Sequence, residues 1–252
     1  MVVTKTRQPL YFKKCAHIFA IIANVFIFLI IDSIRHMQEL AQPEPLGRDT
    51  PQTKRDHERC LSLLLSANEL FLERGYDAVS LDDIVHHAGG SKASIYKFFG
   101  NKEGLFTAIC DYRREQFFKD ICVPFEQGKD DLHSYLVQTL MNFKHHLVLP
   151  ENAAFLRLIL ERTQRSPELA LYIHEQGPKH IQMAIACALT KADELGIIKC
   201  KQPIYSAQLY FGIIRDIEWR VLMGIPVQEN DQETIKYINY CVDRFLEGHQ
   251  KV

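Results

Sequence analysis

From about residue 54 to the C-terminus, apolar side chains return every three or four positions, and no apolar–polar alternation lasts beyond a few residues. That period belongs to helices sharing a core, so the pattern predicts an all-α chain. Two short elements come first. Leu81, Ile84, Val85 and Ala88 form one stripe behind Ser80, a natural N-cap. Gly89-Gly90 closes that stripe, because glycine enters the left-handed region without a Cβ clash. Ser91 then caps a second short helix. Its Ile95 and Phe99 face inward at i, i+4, with Lys92, Ser94, Tyr96, Lys97 and Phe98 on the other faces.

Longer helices follow. Asn101 opens one with Leu105, Ile109, Tyr112 and Phe117, ending before Pro124. Leu132, Leu136, Leu140 and Phe143 stripe another over 129–148, which Pro150 interrupts. Phe155, Leu158 and Ile159 continue the period over 151–164. Ser166-Pro167 combines a capping hydroxyl with a first-turn proline and starts the next helix, broken at Gly177-Pro178 and resumed to Leu195. Residues 196–202 read as a loop, and two helices at 203–223 and 229–247 end the chain. Both carry more apolar surface than an edge hairpin needs. An antiparallel pair of that kind buries its second face against a symmetry mate as a four-helix bundle.

The N-terminus has another character. Between Ile18 and Ile31 only Asn24 is polar. Residues 15–34 approach the roughly 20 that span a bilayer, but they enclose His17, Asn24 and Asp32. Three readings stand: a membrane anchor, a secretory signal lacking a small-residue cleavage site, or a segment outside the working protein. The favoured expectation starts synthesis at Met37. Any membrane partner enters only through residues 15–34. The expected division is 1–36 apolar extension, 37–53 flexible linker with Pro43, Pro45 and Pro51, 54–101 first helical domain and 102–252 second.

Charge sharpens the reading of the two short helices. No acidic residue lies between Ile84 and Lys102, while Lys92, Lys97 and Lys102 supply positive charge. A glycine turn between short helices, the second offering hydroxyls and amines, specifies a helix-turn-helix entering a major groove of double-stranded DNA. An ordinary helical hairpin with a solvated lysine face is the alternative. The chain as a whole is balanced, with 30 basic against 31 acidic residues, so no global field attracts nucleic acid. Glu58, Glu69, Glu73, Asp77, Asp82 and Asp83 are therefore expected to point away from phosphate, and affinity to depend on two reading heads.

Catalytic chemistry finds no support. G-x-S-x-G, H-E-x-x-H and the P-loop pattern are missing, and no enzyme activity, metal or cofactor is expected. His86-His87 and His145-His146 are neighbours that diverge by about 100° on a helix, a poor chelating geometry. Seven dispersed cysteines without a C-x-x-C pair suit a reducing cytoplasm.

Around the two short helices the order of Ala67, Phe71, Gly75, Tyr76, Ser80, Ile84, Ala88, Gly89, Ser91, Lys92, Tyr96, Phe99, Lys102 and Leu105 resembles the TetR family of bacterial transcriptional regulators. Gly90 departs from that pattern, which usually has valine there, and Ala93 stands where glycine is usual; the first removes a core side chain and is expected to loosen the turn. Residues 155–224 are similar to the regulatory domains of the AefR-like branch. The resemblance implies a three-helix DNA-binding head followed by a ligand-binding and dimerisation domain. It implies a cytoplasmic homodimer, joined near 203–223 and 229–247, acting as a ligand-responsive repressor on a palindromic operator. Its recognition helices would sit about 34–36 Å apart. Lys92, Ser94 and Lys97 are the candidates for base or near-base contacts, and Ser91, Tyr96 and Lys102 for phosphate. An unidentified small-molecule effector would enter a cavity between 102 and 195, with Phe117, Phe143, Phe155 and Arg162 as candidate walls. The alternative is a membrane-tethered helical interaction protein with a degenerate head, anchored to the inner face of the cell membrane.

Overall fold

The Thr53 hydroxyl accepts from the Asp56 amide at 3.1 Å and caps the first helix, α1 (Lys54–Arg74). The computed structural model describes residues 51–121, 123–126, 131–227 and 232–250. The apolar segment 15–34, the start at Met37 and most of the 37–53 linker lie outside them. The described residues are helical, without strand: α2 (Leu81–Ala88), α3 (Lys92–Phe99), α4 (Lys102–Ile121), α5 (Leu132–Val148), α6 (Pro150–Thr163), α7 (Pro167–Gln176), α8 (Pro178–Glu194), α9 (Pro203–Gly212), α10 (Arg215–Leu222) and α11 (Gln232–Glu247). Among them, no helix is long and apolar enough to cross a membrane.

The expected punctuation is where the side chains need it. Asn101 accepts the Gly104 amide at 2.7 Å before α4, Asp131 accepts the Ser134 amide at 3.0 Å before α5, and Ser166 accepts the Leu169 amide at 3.4 Å before α7. One boundary differs. The expected single helix over 203–223 breaks between α9 and α10, where the Ile213 amide turns back to the Tyr210 carbonyl at 3.1 Å. Gly212 weakens the helix at that point, and the break lets Ile214 and Ile217 both enter the core.

Two apolar cores result. The first joins Leu63, Ala67, Phe71, Ile84, Ile95 and Phe99 to Leu105, Phe106 and Ile109 of α4, and to Phe155, Leu158 and Leu169 beyond. The head therefore shares its core with α6 and α7 and does not end cleanly at residue 101. The second gathers Leu136, Leu140, Ile185, Leu189, Tyr210, Ile238 and Val242 from α5, α8, α9 and α11. Tyr210 is fully buried and donates to the Leu136 carbonyl at 2.6 Å, which satisfies its hydroxyl. α9 lies along α8 and α11 along α5, and the terminal elements meet through the Tyr210–Phe245 rings.

Candidate nucleic-acid interface

The local chemistry of α2 and α3 fixes how α3 is presented. Ser80 and Asp83 form a reciprocal capping box: the Ser80 hydroxyl accepts the Asp83 amide at 3.1 Å, and the Asp83 carboxylate accepts the Ser80 amide at 2.7 Å. The Ser80 hydroxyl, which also donates to that carboxylate, holds the Asp83 carboxyl below its ordinary range, and the Ser80 amide adds to the effect. At the other end Gly89 takes φ 67°, ψ 51°, the left-handed cap, and the Gly90 amide reaches back to Val85 at 3.0 Å. Ser91 caps α3, its hydroxyl accepting the Ser94 amide at 3.3 Å.

Ile95, Phe98 and Phe99 seat α3 on the core. Phe98, expected on an outer face, is buried, because eight residues make just over two turns and Ile95 with the two adjacent rings of Phe98 and Phe99 widens the inward stripe. Ser91, Lys92, Tyr96 and Lys97 are exposed and Ser94 is half-buried, so five of the six candidates share the outer side of α3. The sixth is placed otherwise. Lys102 begins α4, and its ammonium donates to the Tyr76 carbonyl at 2.5 Å and lies 4.2 Å from the Tyr76 ring centre. Burial pulls the Lys102 ammonium below its ordinary value.

The acids do not all turn away. Lys92 pairs with Asp82 at 2.8 Å, and Lys97 stands 3.8 Å from Asp56 while its ammonium covers the Phe98 ring at 4.8 Å. The expectation that Asp82 would avoid the docking face is corrected. The first turn of α2 and the start of α3 are brought together by the glycine turn, and opposite charges meet there.

Gly90 leaves space that another residue fills. Arg59 of α1 donates to the Gly89 carbonyl at 2.6 Å, and a Cβ at Gly90 would stand 3.0 Å from the same Arg59 nitrogen. Ser62 adds a bond to the Ala88 carbonyl at 3.3 Å. Carbonyls left over at the end of α2 are thus held by α1.

Behind the head lies a cavity of about 660 Å³, mostly apolar, between α4, α5, α6, α7 and α10. Phe117, Phe143 and Phe155 line it as expected. Arg162 does not: its guanidinium lies 3.9 Å above the Tyr76 ring and pairs with Asp77 at 3.7 Å. Sequence reading missed this, since the partner is a loop residue of the head far away in the chain. Arg165 also pairs with Asp77. On the cavity wall Tyr172 donates to Asp111 at 2.8 Å, and Arg114 donates to the same carboxylate at 2.7 Å. Burial raises the Asp111 carboxyl above its ordinary value and, with the Asp111 charge beside it, pushes the Tyr172 phenol up to about 12.

Two sequence profiles fit this arrangement. The profile of bacterial regulatory proteins of the tetR family matches residues 63–109, and that of the AefR-like transcriptional repressor C-terminal domain matches residues 134–250. The chain belongs to the TetR family. The HTH-type transcriptional activator FasR of Mycolicibacterium smegmatis is 42% identical over 52 residues, 21% of this chain and 24% of its own. The chain thus spans about a quarter of that relative's length. A TetR-family structure from Mesorhizobium loti superposes with a TM-score of 0.69 at 22% identity, covering 79% of this chain and 100% of that one. The flavonoid-responsive regulator FrrA gives a TM-score of 0.67 at 26% identity, covering 77% of this chain and 98% of its own. Among the described residues no group of three or more His, Cys, Asp or Glu side chains is placed to hold a metal ion.

Proposed function

We propose that this protein is a homodimeric, ligand-responsive transcriptional repressor that binds a palindromic operator. One observation carries the reading. α3 is seated by Ile95, Phe98 and Phe99 and offers Lys92, Tyr96 and Lys97 outward from a capped N-terminus. A short rod with that polarity enters a major groove, with lysines and hydroxyls divided between base edges and phosphates. Lys92, Ser94 and Lys97 are assigned to base or near-base contacts, and Ser91 and Tyr96 to phosphate. Lys102 holds the Tyr76 carbonyl, so its part is to fix the head on α4.

The dimer is supported by the outer faces of the terminal helices. Tyr205, Leu209, Trp219, Met223 and Tyr240 are all more than half exposed on α9, α10, α11 and the turn after α10. Large apolar side chains at this density mark a surface that is covered in the working protein. Two linked heads then read two half-sites, which offsets the acidic surroundings of each.

The response is supported by continuity from cavity to head. α4 lines the cavity with Phe117 and carries Lys102 at its start; α6 lines it with Phe155 and carries Arg162 near its end. Both cations meet on Tyr76. A ligand that shifts either helix therefore shifts the connection between α1 and α2, and displaced half-site contacts release the operator. Repression is the sign favoured by the AefR-like match.

Gel shift and footprinting with DNA upstream of the protein's own gene, at two salt concentrations, test the reading. Protection of a palindrome with a steep salt slope is expected, and Tyr96→Ala abolishes it while leaving helicity and dimer mass unchanged. Uniform cleavage of every fragment would overturn it.

A further inference from the structure

The cavity is the proposed effector site, and this inference rests on that reading: its walls specify the chemical class of the effector. The charges in the walls come first. Arg113, Arg114 and Arg215 line the cavity, and each is tied to a carboxylate that lines it too: Glu151 at 2.5 Å, Asp111 at 2.7 Å and Glu218 at 2.8 Å. Arg113 is held further by Asn68 at 3.1 Å and Asn152 at 2.7 Å. A charged ligand at the polar end has to break the Arg114–Asp111 pair, whose side chains are 24% and 32% exposed, and leave a charge without its partner beside apolar walls, which is unfavourable.

The apolar walls are aromatic. Phe117 stands edge-on to Phe143, with ring centres 5.3 Å apart at 74°, and edge-on to His146 at 5.3 Å and 73°. Phe143 tilts against Phe211 at 5.9 Å. These rings are only partly buried, so each presents unfilled surface to the cavity. Ring faces and edges complement another aromatic ring beyond what buried area alone supplies, whereas an alkyl chain gains only the area.

The polar end accepts hydrogen bonds. Tyr172 bonds both Asp111 oxygens, at 2.8 and 2.9 Å, and Arg114 takes the first of them. A carboxylate has about four acceptor positions, so the second Asp111 oxygen retains one, while the Tyr172 oxygen is already engaged by Arg114. Burial disfavours the Asp111 charge, and an arriving donor relieves that penalty.

We infer that the effector is an uncharged, planar aromatic molecule bearing a hydroxyl group, its rings lying among Phe117, Phe143 and Phe211 and its hydroxyl donating to the second oxygen of Asp111. The cavity volume falls within the range that encloses a molecule of several fused rings.

Isothermal titration of the full chain with four probes tests this: 9-phenanthrol, 9-methoxyphenanthrene, phenanthrene-9-carboxylate and 1-dodecanol. 9-Phenanthrol is expected to bind at least about tenfold more tightly than each of the others. Asp111→Asn should shrink its advantage over the methoxy compound, with Phe143→Ala weakening both alike. Thermal melts of each variant separate lost binding from lost folding. Absent binding of 9-phenanthrol, equal binding of the methoxy compound, or tighter binding of the carboxylate or dodecanol overturns the inference. Operator release, read separately by gel shift, tells the two readings apart. Binding of 9-phenanthrol without release defeats the effector site and leaves the ligand class standing; release by dodecanol or the carboxylate alone defeats the class and leaves the site.

Discussion

Arg59 on α1 donates to the Gly89 carbonyl at 2.6 Å, across thirty residues of chain, and its guanidinium occupies the space above Gly90. A turn that lacks the usual side chain is filled from the neighbouring helix. Leu63, which a Gly90 Cβ would touch at 3.5 Å, stays fully buried beside it.

That relationship predicts coupling between the two positions. Arg59→Ala removes the bond and opens the turn, and is expected to cost about 1 kcal/mol in urea unfolding. Gly90→Val in the Arg59→Ala background should recover stability, because the new methyls reach Leu63 without meeting the guanidinium. In the wild-type background the same valine has to displace Arg59. The double-mutant cycle is expected to show an interaction of at least about 0.5 kcal/mol, and simple additivity would refute the account.

Asp82 is expected to restrain DNA binding. In the free protein its carboxylate holds Lys92 at 2.8 Å, so docking exchanges that partner for phosphate or a base and leaves an acid near the duplex. Asp82→Asn should tighten operator binding several-fold at low salt and steepen the slope of log K against log salt by up to about one. The gain should fade as salt rises. Fluorescence anisotropy at 50 and roughly 200 mM salt is the check; weaker binding at both would show that the acid supports docking through α2 instead.

How much of this was readable from the sequence depended on whether a feature is local. Ser80, Ser91, Asn101 and Ser166 act within three residues, so their caps were legible, as was the stripe seating α3 through Ile95 and Phe99. Phe98 was misplaced because a two-turn helix has too few residues for its stripe to declare a width. Arg162 was misassigned for the opposite reason: its partners Tyr76 and Asp77 come from an element 85 or more positions earlier, and no periodicity reports on such a pair. Lys102 matched the family pattern in sequence, yet the pattern does not say whether a lysine faces the ligand or the fold. Gly90 was the one local signal of a distant contact, since a small residue at a packed turn requires something to fill it.

Acid should loosen helix caps in both the head and the domain behind it. Asp83 has its carboxyl held below the ordinary value of 3.8, first by the Ser80 hydroxyl and then by the Ser80 amide. Asp131 is held down in the same way by the Ser134 amide and hydroxyl. A depressed folded value means the unfolded chain binds protons more readily, so the stabilisation is present above 3.8 and is lost as pH falls through the folded value. Asp111 has the opposite sign: its raised carboxyl binds a proton more readily in the folded state, and its contribution falls as pH rises from 3.8 through the folded value. Urea unfolding of wild type and Asp83→Ala should show a gap at pH 6 that closes as pH falls below 3.8 and through the folded value. A gap of constant size would mean that the carboxylate does not distinguish the two states.

Leu209 tests whether the terminal helices hold two copies together. Its side chain is 67% exposed on α9, and Tyr205, one turn earlier, is also 67% exposed, while Ala207 and Tyr210 on the other side are fully buried. The helix is therefore amphipathic only if its outer face counts as a second apolar surface. Leu209→Glu places a charge in the middle of that face without touching the core, so circular dichroism and thermal melting should stay close to wild type. Sedimentation should shift from dimer to monomer, and operator affinity should fall by at least about a hundredfold, because a single head loses the contacts of one whole half-site. Retention of the dimer mass would place the interface elsewhere. Loss of the dimer with operator affinity unchanged would show that one head suffices, which contradicts the argument from the acidic surroundings of α3.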